Sequence, residues 1–473
     1  MKKNLLFVLL LLFMAACSKD DVVTPGQLGF EGITDSELIV SGSTGEEISN
    51  EVILKGVTGD VTARVDFAAV TWCNVTVKKD IAAKGGDIWK LLIMTDVYTG
   101  NESRTAYISV ISGVDELTLK VTQTGRGKNV EMIVVSEGQF TKGTASLSAV
   151  TFDGTTTWDI FRDVNQMPLG DVAQSITYLD GKYFVVLNNS KQIKVVKPGT
   201  FELLGTIDYE QNASPRFMVP INESEAIVSD LVLQLTKINY KTYKVMEYIS
   251  LSGTGISQIE KMTKVGNKIF CAAGGKGVGV IDTDNITKTS IRFVEGFTGS
   301  IIKTAKMILD KNNKLWVFAT ASGKSVLNCI DPVTEKVVKT VEIPYAVSGT
   351  EGYVTGSITG TSGYTRMDTD RTRGKLYFYM TMLVNVDRKS TIGAIFTLDV
   401  DKSAIDPVPY RELPGLGMMY GMGISPDGEV YLCDCLDYTA QRGFLREYKA
   451  DGSVDSKRVG IYPRMVHFTE YDK

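Results

Sequence analysis

The chain has 473 residues, more than one average domain needs, so the sequence predicts at least two domains. Its 51 Lys and Arg residues are scattered among 55 Asp and Glu residues, and this pattern argues against nucleic acid as a partner. With one histidine in the chain, His467, a His-rich zinc site is excluded, and a Ser-His-Asp triad could use only that residue. The alternation around His467 predicts a strand and a structural role.

The N-terminal segment has the pattern of a secretory signal. Two lysines precede an apolar run, Leu5 to Met14, which is too short to span a bilayer and is followed by small residues. Ala15-Ala16-Cys17 resembles the bacterial lipobox, in which the cysteine becomes the acylated first residue; a plain secretory signal is the alternative. Lipidation of Cys17 would anchor the protein to a membrane. Ser18-Lys19-Asp20-Asp21 resembles the export signal of Bacteroidota surface lipoproteins, which implies a cell-surface position on the outer membrane.

The composition pattern changes along the chain and predicts an all-β protein of two folded domains. The predicted segments are a signal peptide over residues 1–16, a lipidated tether over 17–30, an Ig-like β-sandwich over 31–125 and a β-propeller over 129–473.

Residues 31–125 contain short alternating strands broken by turns, which is typical of an Ig-like β-sandwich. Three segments, Trp72-Cys73-Asn74-Val75, Asn101–Ala106 and Leu119–Thr124, resemble the BACON family of Ig-like modules common in Bacteroidota lipoproteins. The family name implies carbohydrate binding, and its members also serve as spacers. We interpret Trp72 as a core residue, with a sugar platform as the alternative.

From Glu131 onward one unit recurs at a spacing of roughly 40–60 residues, as expected for the four-stranded blades of a propeller. Each unit has an apolar second strand and a third strand. The second-strand segments are Asp180–Val186, Glu225–Val228, Gly266–Cys271, Asn313–Phe318, Gly374–Tyr379 and Asp427–Leu432. The third-strand segments are Ile193–Val196, Leu233–Leu235, Val278–Asp282, Leu327–Asp331, Ile395–Asp399 and Phe444–Tyr448.

The two ends of this repeat region complement each other. Glu131–Val135 matches a second strand that has no first strand before it, and Tyr462–Val466 matches the inner first strand Ser214–Val219. We therefore predict that the C-terminal strand completes the first blade and closes the ring, which removes exposed strand edges. Six complete units and the shared one make a seven-bladed propeller; six or eight blades remain open because the unit at 362–410 is long and irregular.

Propellers bind ligands where the loops entering the inner strands meet the loops between second and third strands. Polar residues of these loops form the candidate ligand-binding set, namely Asp171, Gln174, Asn188, Asn189, Arg216, Asp230, Asp434, Tyr438 and Arg464. Arg216 and Arg464 each follow a proline at the same phase of the repeat, so both should point toward one end of the channel and could hold carboxylates, amides or phosphate. The alternatives are that Asn and Asp only form turns and that Pro-Arg is a packing device.

Four segments resemble a family of YncE-like propeller lipoproteins from Bacteroidota. They are Leu169–Ser175, Val185–Ser190, Ser214-Pro215-Arg216 and Gly428–Tyr438, and the resemblance covers about residues 131–470. The family includes the BtuG-type lipoproteins, which capture cobalamin for a TonB-dependent transporter. The resemblance implies a propeller fold and ligand capture. The irregular sixth unit and the segment Gly349–Gly363 depart from the vitamin binder, and these loops would select the ligand.

The sequence thus predicts a surface lipoprotein that binds a nutrient, a corrinoid or another small molecule, and passes it to a TonB-dependent transporter without catalysis or cofactor. A glycan- or protein-binding surface protein is the alternative. A lactonase-like hydrolase is third, since Asp171, Asp230 and Asp434 could converge on calcium but are better explained as turn residues. Cys433 and Cys435 are interpreted as packing residues.

Overall fold

The computed structural model of the chain describes residues 27–33, 35–40, 48–81, 87–96, 98, 103–125, 130–210, 212–256, 259–301, 306–321, 324–343, 352–355, 367–385, 390–437 and 439–472. The chain divides into two compact units, Met1–Lys128 and Asn129–Lys473. In the described ranges the one α-helix is α1 (Ile160–Asn165), and short 3-10 helices occur at Gly274–Lys276 and Thr469–Asp472. No helix in this part of the chain is long and apolar enough to cross a membrane.

Among its described residues the first unit contains two four-stranded sheets. Their strands are β1 (Gly29–Phe30), β2 (Glu37–Val40), β3 (Ile48–Lys55), β4 (Val61–Val65), β5 (Cys73–Ile81), β6 (Asp87–Thr95), β7 (Arg104–Ser112) and β8 (Asp115–Gln123). One sheet has the order β1-β3-β6-β5 and the other β2-β8-β7-β4, with β2 parallel to β8. The two sheets share one buried apolar core, as in a β-sandwich.

Trp72 lies at the edge of that core. Its half-buried ring packs against the buried cluster of the first unit. The guanidinium of Arg104 covers the ring at 4.3 Å from its centre and lies 4.1 Å from the ring of Tyr98. The ring is therefore occupied by core contacts and a cation–π contact, which favours the core interpretation over an open sugar platform.

The second unit contains seven antiparallel sheets among its described residues, here numbered I to VII. Sheet I contains β9 (Val130–Ser136), β10 (Ser146–Thr151) and β11 (Thr156–Thr157). Sheet II contains β12 (Ala173–Leu179), β13 (Lys182–Leu187), β14 (Gln192–Val196) and β15 (Leu203–Asp208). Sheet III contains β16 (Pro215–Pro220), β17 (Glu225–Asp230), β18 (Gln234–Asn239) and β19 (Lys244–Ser250). Sheet IV contains β20 (Met262–Val265), β21 (Lys268–Ala272), β22 (Val278–Asp282) and β23 (Arg292–Phe293). Sheet V contains β24 (Met307–Leu309), β25 (Leu315–Ala321), β26 (Lys324–Asp331) and β27 (Lys336–Glu342).

The remaining strands form sheets VI and VII and complete sheet I. Sheet VI contains β28 (Gly352–Thr355), β29 (Met367–Thr369), β30 (Lys375–Asn385), β31 (Ser390–Asp399) and β32 (Arg411–Leu413). Sheet VII contains β33 (Met419–Ile424), β34 (Val430–Asp434), β35 (Arg442–Tyr448) and β36 (Val454–Ile461). The last strand, β37 (Pro463–Phe468), pairs in sheet I. We call β37, β12, β16, β20, β24, β29 and β33 the inner strands of sheets I to VII.

The central strand β13 shows why these segments read as apolar runs. Five consecutive residues of this strand are buried. Val185 and Leu187 pack in a cluster with residues of sheet I, whereas Phe184 and Val186 pack in a cluster with residues of sheet III. Since successive side chains of a strand point to opposite faces, a strand covered on both faces needs apolar residues at every position.

Each sheet packs on the next through a buried apolar cluster. Six clusters join consecutive sheets from I to VII. Another cluster joins sheet VII to sheet I, where the rings of Tyr431 and Phe468 meet edge to face with centres 5.5 Å apart. Such aromatic contacts add to the free energy gained from burying apolar area.

The strand β37 pairs antiparallel with β9. Met465 lies opposite Val135 and Phe468 opposite Met132, and the register shifts between Pro463 and Met465. The hydroxyl of Thr469 donates to the Val130 carbonyl at 2.7 Å. Sheet I is thus built from two segments far apart in sequence.

We expect Gly421→Ala to destabilise the second unit by about 3 kcal/mol, at the upper end of the usual cost of overpacking. A Cβ atom at Gly421 in β33 would lie 1.9 Å from the carbonyl oxygen of Arg464 in β37, which cannot move without disturbing the pairing of β37. The matched control is Gly275→Ala, whose Cβ would meet no atom within 4 Å. Urea unfolding followed by tryptophan fluorescence compares both; equal midpoints would contradict the close approach of these strands.

Sheet VI differs from the others at the position of the irregular unit. Its hairpin strands β30 and β31 have 11 and 10 residues, and β28 pairs with the distal end of β30 as an extra strand. The described part of the irregular sequence at 362–410 therefore contains β29 and the strands of this long hairpin, and the added strand β28 precedes it. Most of Gly349–Gly363 lies outside the described residues.

Candidate ligand-binding site

Two of the predicted site aspartates hold backbone turns. At the end of β17, Asp230 Oδ1 accepts hydrogen bonds from the N–H of Ser214 at 2.8 Å and of Val232 at 2.9 Å. At the same position in sheet VII, Asp434 Oδ1 accepts from the N–H of Met418 at 2.9 Å and of Leu436 at 2.8 Å. Both carboxylates are buried and tie the loop after a second strand to the loop entering an inner strand.

A further group of predicted residues links neighbouring loops. Asp171 Oδ2 accepts from the N–H of Thr141 at 2.9 Å and from the amide of Asn189 at 2.5 Å. The amide of Asn188 donates to the hydroxyl of Ser214 at 2.6 Å. These contacts join the loops of sheets I, II and III, so Asp171, Asn188 and Asn189 hold these loops together.

The three aspartates of the calcium hypothesis do not come together. Asp171 is held by loops of sheets I and II, Asp230 by sheet III and Asp434 by sheet VII. Within the described ranges, no group of three or more His, Cys, Asp and Glu side chains has the arrangement of a metal site. The residues named for that hypothesis therefore serve the backbone, and the donor set for a central calcium is not assembled from them.

Five side chains from four sheets form one hydrogen-bonded group that we call the mouth cluster: Glu137, Gln174, Arg216, Tyr420 and Arg464. Glu137 Oε1 accepts from the guanidinium of Arg464 and from the Gln174 amide at 3.1 Å, and Glu137 Oε2 accepts from the Tyr420 hydroxyl at 2.6 Å. Gln174 Oε1 in turn accepts from the guanidinium of Arg216. The cluster connects sheets I, II, III and VII.

The backbone explains why these residues meet. Gln174, Arg216, Tyr420 and Arg464 are each the second residue of an inner strand, namely β12, β16, β33 and β37. In all four strands the pairing register shifts at or next to this residue. A β-bulge re-aims a side chain that would otherwise follow the pleat, so the same bulge in four repeats directs four side chains to one place.

Further charged residues surround the cluster. Arg216 Nη2 lies 3.7 Å from Glu260 Oε1, and Glu260 is 1% exposed. The Lys261 ammonium and the Arg464 guanidinium lie 5.5 Å and 5.9 Å from the centre of the Phe217 ring. The site thus combines buried cations, buried carboxylates and an aromatic ring.

Burial dominates the electrostatics of the site. It lowers the pKa of the Arg216 guanidinium and, together with the neighbouring cations Lys306 and Arg464, holds the pKa of Lys261 well below its ordinary value. Burial, reinforced by the nearby Glu137 carboxylate, raises the pKa of Tyr420, so its phenol stays protonated and donates to Glu137.

A cavity of about 380 Å³ lies along the inner strands of sheets V, VI, VII and I. Lys306 and Asp368 form an ion pair on its wall, beside apolar residues that include Ile424 and Val466. His467, also on this wall, lies with Nε2 2.8 Å from Asp472 Oδ1 and packs edge to face on Tyr183. These contacts are consistent with a structural role for the histidine.

Sequence reasoning identified Gln174, Arg216 and Arg464 but missed Glu137 and Tyr420. Tyr420 has the same repeat phase as the other three inner-strand residues, and this signal could have revealed it. Tyr438 and Cys17 lie outside the described residues.

The described cysteines act as packing residues. All five are buried and form no disulfide. The strand β34 ends at Asp434, and Cys433 and Cys435 belong to different apolar clusters. Burial raises the pKa of the Cys435 thiol to about 12, so neither pairing nor thiolate chemistry is supported.

Comparison with known proteins places the second unit in a family. Residues 130–381 match the family described as a domain of unknown function, DUF5074, and this match spans more than half of the chain. The chain belongs to the DUF5074 family. In addition, residues 62–124 of this DUF5074 protein match the BACON family, described as a binding domain. No curated protein matches the chain.

A solved structure shows the same fold class for this DUF5074 protein. A quinonprotein alcohol dehydrogenase-like protein from Bacteroides thetaiotaomicron aligns with a TM-score of 0.54 at 13% identity, over 92% of this chain and 97% of its own. The WD40 β-propeller domain of Doa1 aligns with a TM-score of 0.39 at 11% identity, over 69% of this chain and 89% of its own. At such identities the first likeness shows the fold alone, an all-β, propeller-like architecture.

Proposed function

We propose that this DUF5074 protein is a surface lipoprotein whose second unit, a seven-bladed propeller closed by β37, captures a small nutrient ligand at the mouth cluster. The ring is supported by the seven apolar clusters between sheets and by the pairing of β37 with β9. The pairing with β37 covers the side of β9 that would otherwise be open to pairing with another chain.

The observation that carries the binding function is the convergence of four bulged inner strands on one polar group. Gln174, Arg216, Tyr420 and Arg464 reach it from four sheets, and the same loops are braced by Asp171, Asp230 and Asp434. Ligand sites typically combine a few well-placed polar groups with aromatic or apolar area, here supplied by Phe217, Tyr420 and Tyr462, the last two with ring centres 6.0 Å apart.

The proposed setting follows from the N-terminal pattern. A lipid on Cys17 would hold the protein at the outer membrane, the tether would raise the folded units above it, and the BACON unit would act as a spacer. A ligand captured there would pass to a TonB-dependent transporter. The corrinoid version of this proposal rests on the YncE-like resemblance, and the extended hairpin of sheet VI would adjust the choice of ligand.

A binding experiment tests the corrinoid version. We expect the full-length protein to bind cobalamin or cobinamide, and Gln174→Ala to weaken binding at least tenfold, or about 1.4 kcal/mol, because the bridge between Arg216 and Glu137 is lost. The matched control is Gln192→Ala in β14, whose amide donates to Asp208 Oδ1 at 2.7 Å and is not part of the mouth cluster. Isothermal titration measures each affinity.

No affinity for either corrinoid would end the corrinoid version. Purification of the protein from its native membrane, with mass spectrometry of whatever small molecules and proteins accompany it, then tests capture itself. A preparation that carries neither a small molecule nor a transporter would oppose the wider proposal.

A further inference from the structure

The outer strands of sheet VII carry arginines that rest on an aromatic ring. Phe444 in β35 lies directly opposite Arg458 in β36. The guanidinium carbons of Arg446 and Arg458 lie 5.1 Å and 4.8 Å from the centre of the Phe444 ring. Because an aromatic face attracts a cation placed over it, this ring holds both guanidiniums in position.

The two guanidiniums on Phe444 differ in the charge that compensates them. Arg446 donates from Nε to Asp434 Oδ2 at 2.7 Å and from Nη1 to the hydroxyl of Ser456 at 3.0 Å. Arg458 is exposed, and its guanidinium pairs with no carboxylate in the part of the chain that the structure describes. The ring therefore supports one compensated cation and one that is open to an anion from solution.

A second arginine of this kind, Arg442, lies beside Arg458. It donates from Nε to the Val459 carbonyl at 2.9 Å and from Nη2 to the Arg458 carbonyl at 3.1 Å. Its guanidinium lies 4.8 Å from the centre of the ring of Trp158, which is 39% exposed. Burial, and then the charge of Arg458, lower the pKa of Arg442, so the two guanidiniums repel each other. We call Trp158, Arg442, Phe444 and Arg458 the arginine patch.

Carboxylates close in sequence are engaged elsewhere. Successive side chains of a strand point to opposite faces, so Asp455 in β36 faces away from Arg458 and instead pairs with Lys457 at 2.8 Å. Asp437, in the loop before β35, accepts from the N–H of Thr439 at 2.9 Å. The like charges of the patch thus lie together without a neighbouring carboxylate to offset them.

The free N–H groups of the patch suit an anion with several oxygens. Among the described residues, neither the Nη1 of Arg442 nor the guanidinium of Arg458 has a hydrogen-bond acceptor. The backbone carbonyls and the two rings already fix where these guanidiniums lie, so little freedom is lost when they bind a ligand. A phosphate or sulfate group has enough oxygens to accept from two guanidiniums on neighbouring strands.

We propose that the arginine patch binds a phosphate or sulfate group, which Arg442 and Arg458 hold together while Trp158 and Phe444 support the two guanidiniums. Since the guanidiniums cover the rings, the patch recognises the anion rather than an apolar surface. Two sources can supply this group, a dissolved phosphate or sulfate compound and the headgroup of an anionic lipid. The patch lies on outer strands, whereas the mouth cluster lies on inner ones, so this proposal does not depend on ligand capture at the mouth.

Protection from phenylglyoxal, which modifies accessible guanidiniums, tests the proposal at single residues. Mass spectrometry of peptides from the full-length protein locates each modified arginine. We expect inorganic phosphate, at constant ionic strength, to protect Arg442 and Arg458 saturably with an apparent Kd below about 1 mM. Arg371, which is 55% exposed and pairs with Glu470, should stay unprotected.

Single variants show whether the two arginines form one site. In Arg458→Gln, the phosphate concentration that half-protects Arg442 should rise about fivefold or more, because one of the two guanidiniums that share the anion is gone. Arg442→Gln should have the same effect on the protection of Arg458. The matched control, Arg371→Gln, should change neither value. Protection of each arginine that is indifferent to loss of the other would overturn the proposal.

Vesicles distinguish the two sources of the anion. Stronger protection of Arg442 and Arg458 by vesicles that contain phosphatidylglycerol than by vesicles of phosphatidylcholine alone assigns the patch to a lipid headgroup. Protection by inorganic phosphate, with equal protection by both kinds of vesicle, assigns it to a dissolved compound. If neither inorganic phosphate nor the anionic vesicles protect these arginines, the proposal is wrong, and ligand capture at the mouth is unaffected.

Discussion

Ending the chain after Tyr462, and so removing β37, should abolish cooperative folding of the second unit. The strand supplies the inner edge of sheet I and, through Val466 and Phe468, part of the apolar cluster between sheets I and VII. Its loss would remove the β9 pairing and expose that cluster. Together these changes would remove most of the free energy of unfolding, which is roughly 5–15 kcal/mol for a typical domain. Urea unfolding measured by the fluorescence of Trp158 and Trp316 gives the outcome.

The matched control ends after Phe468, keeps β37 and removes only the residues that follow. It loses the Thr469 contact to Val130 and the Asp472 contacts to His467 and Tyr183, so we expect a loss of about 1–3 kcal/mol with cooperativity retained. The chain that ends after Tyr462 should also self-associate, because the unpaired edge of β9 can pair with another copy. A monomeric chain without β37 that unfolds at the parent's midpoint would show that the second unit does not depend on this strand.

Arg464→Met should destabilise the second unit by about 3–5 kcal/mol, the usual cost of leaving one member of a buried ion pair alone. Arg464 is 4% exposed and its partner Glu137 keeps 13% of its side-chain surface. Glu137→Met should be similarly harmful, since it leaves the guanidinium in a site already rich in cations. The double variant should recover part of both losses, with a coupling energy above about 2 kcal/mol.

The control for this cycle is the exposed pair Arg371 and Glu470, whose side chains are 55% and 39% exposed. Its coupling energy should fall below about 1 kcal/mol because solvent screens it. Denaturant unfolding of the parent, single and double variants measures both cycles. A coupling energy at the mouth as small as that of the exposed pair would mean that the mouth cluster contributes little to stability.

The strand pattern of the second unit was accessible from sequence because each central strand is covered on both faces. The predicted second strand Asp180–Val186 corresponds to β13, and the predicted third strand Ile193–Val196 to β14. The predicted all-β class is confirmed by the strands and by the propeller-like relatives. Sheet VI was harder, because the partner of β28 is the far end of a long hairpin rather than an adjacent segment.

The site was only partly accessible from sequence. The proline before Arg216 and Arg464 marked the repeat phase, but the contacts that join the cluster depend on tertiary pairing over great separations: Tyr420 and Glu137 are 283 residues apart, and Arg464 and Glu137 are 327 apart. For Asp230 and Asp434 the turn interpretation fits, since both bond to backbone N–H groups. Sequence alone favoured the turn interpretation without excluding a ligand-binding role, since a polar loop residue suits either.

The construction of sheet I has a consequence for biogenesis. The hydroxyl of Thr469 bonds to the carbonyl of Val130, 339 positions earlier. The earliest-made part of the second unit must therefore wait, with one side of β9 unsatisfied, until nearly all of that unit has been synthesised. Contacts so distant in sequence slow folding. Under the proposed export of the chain this delay would be useful, because a polypeptide that cannot finish folding early can still pass through a translocation pore.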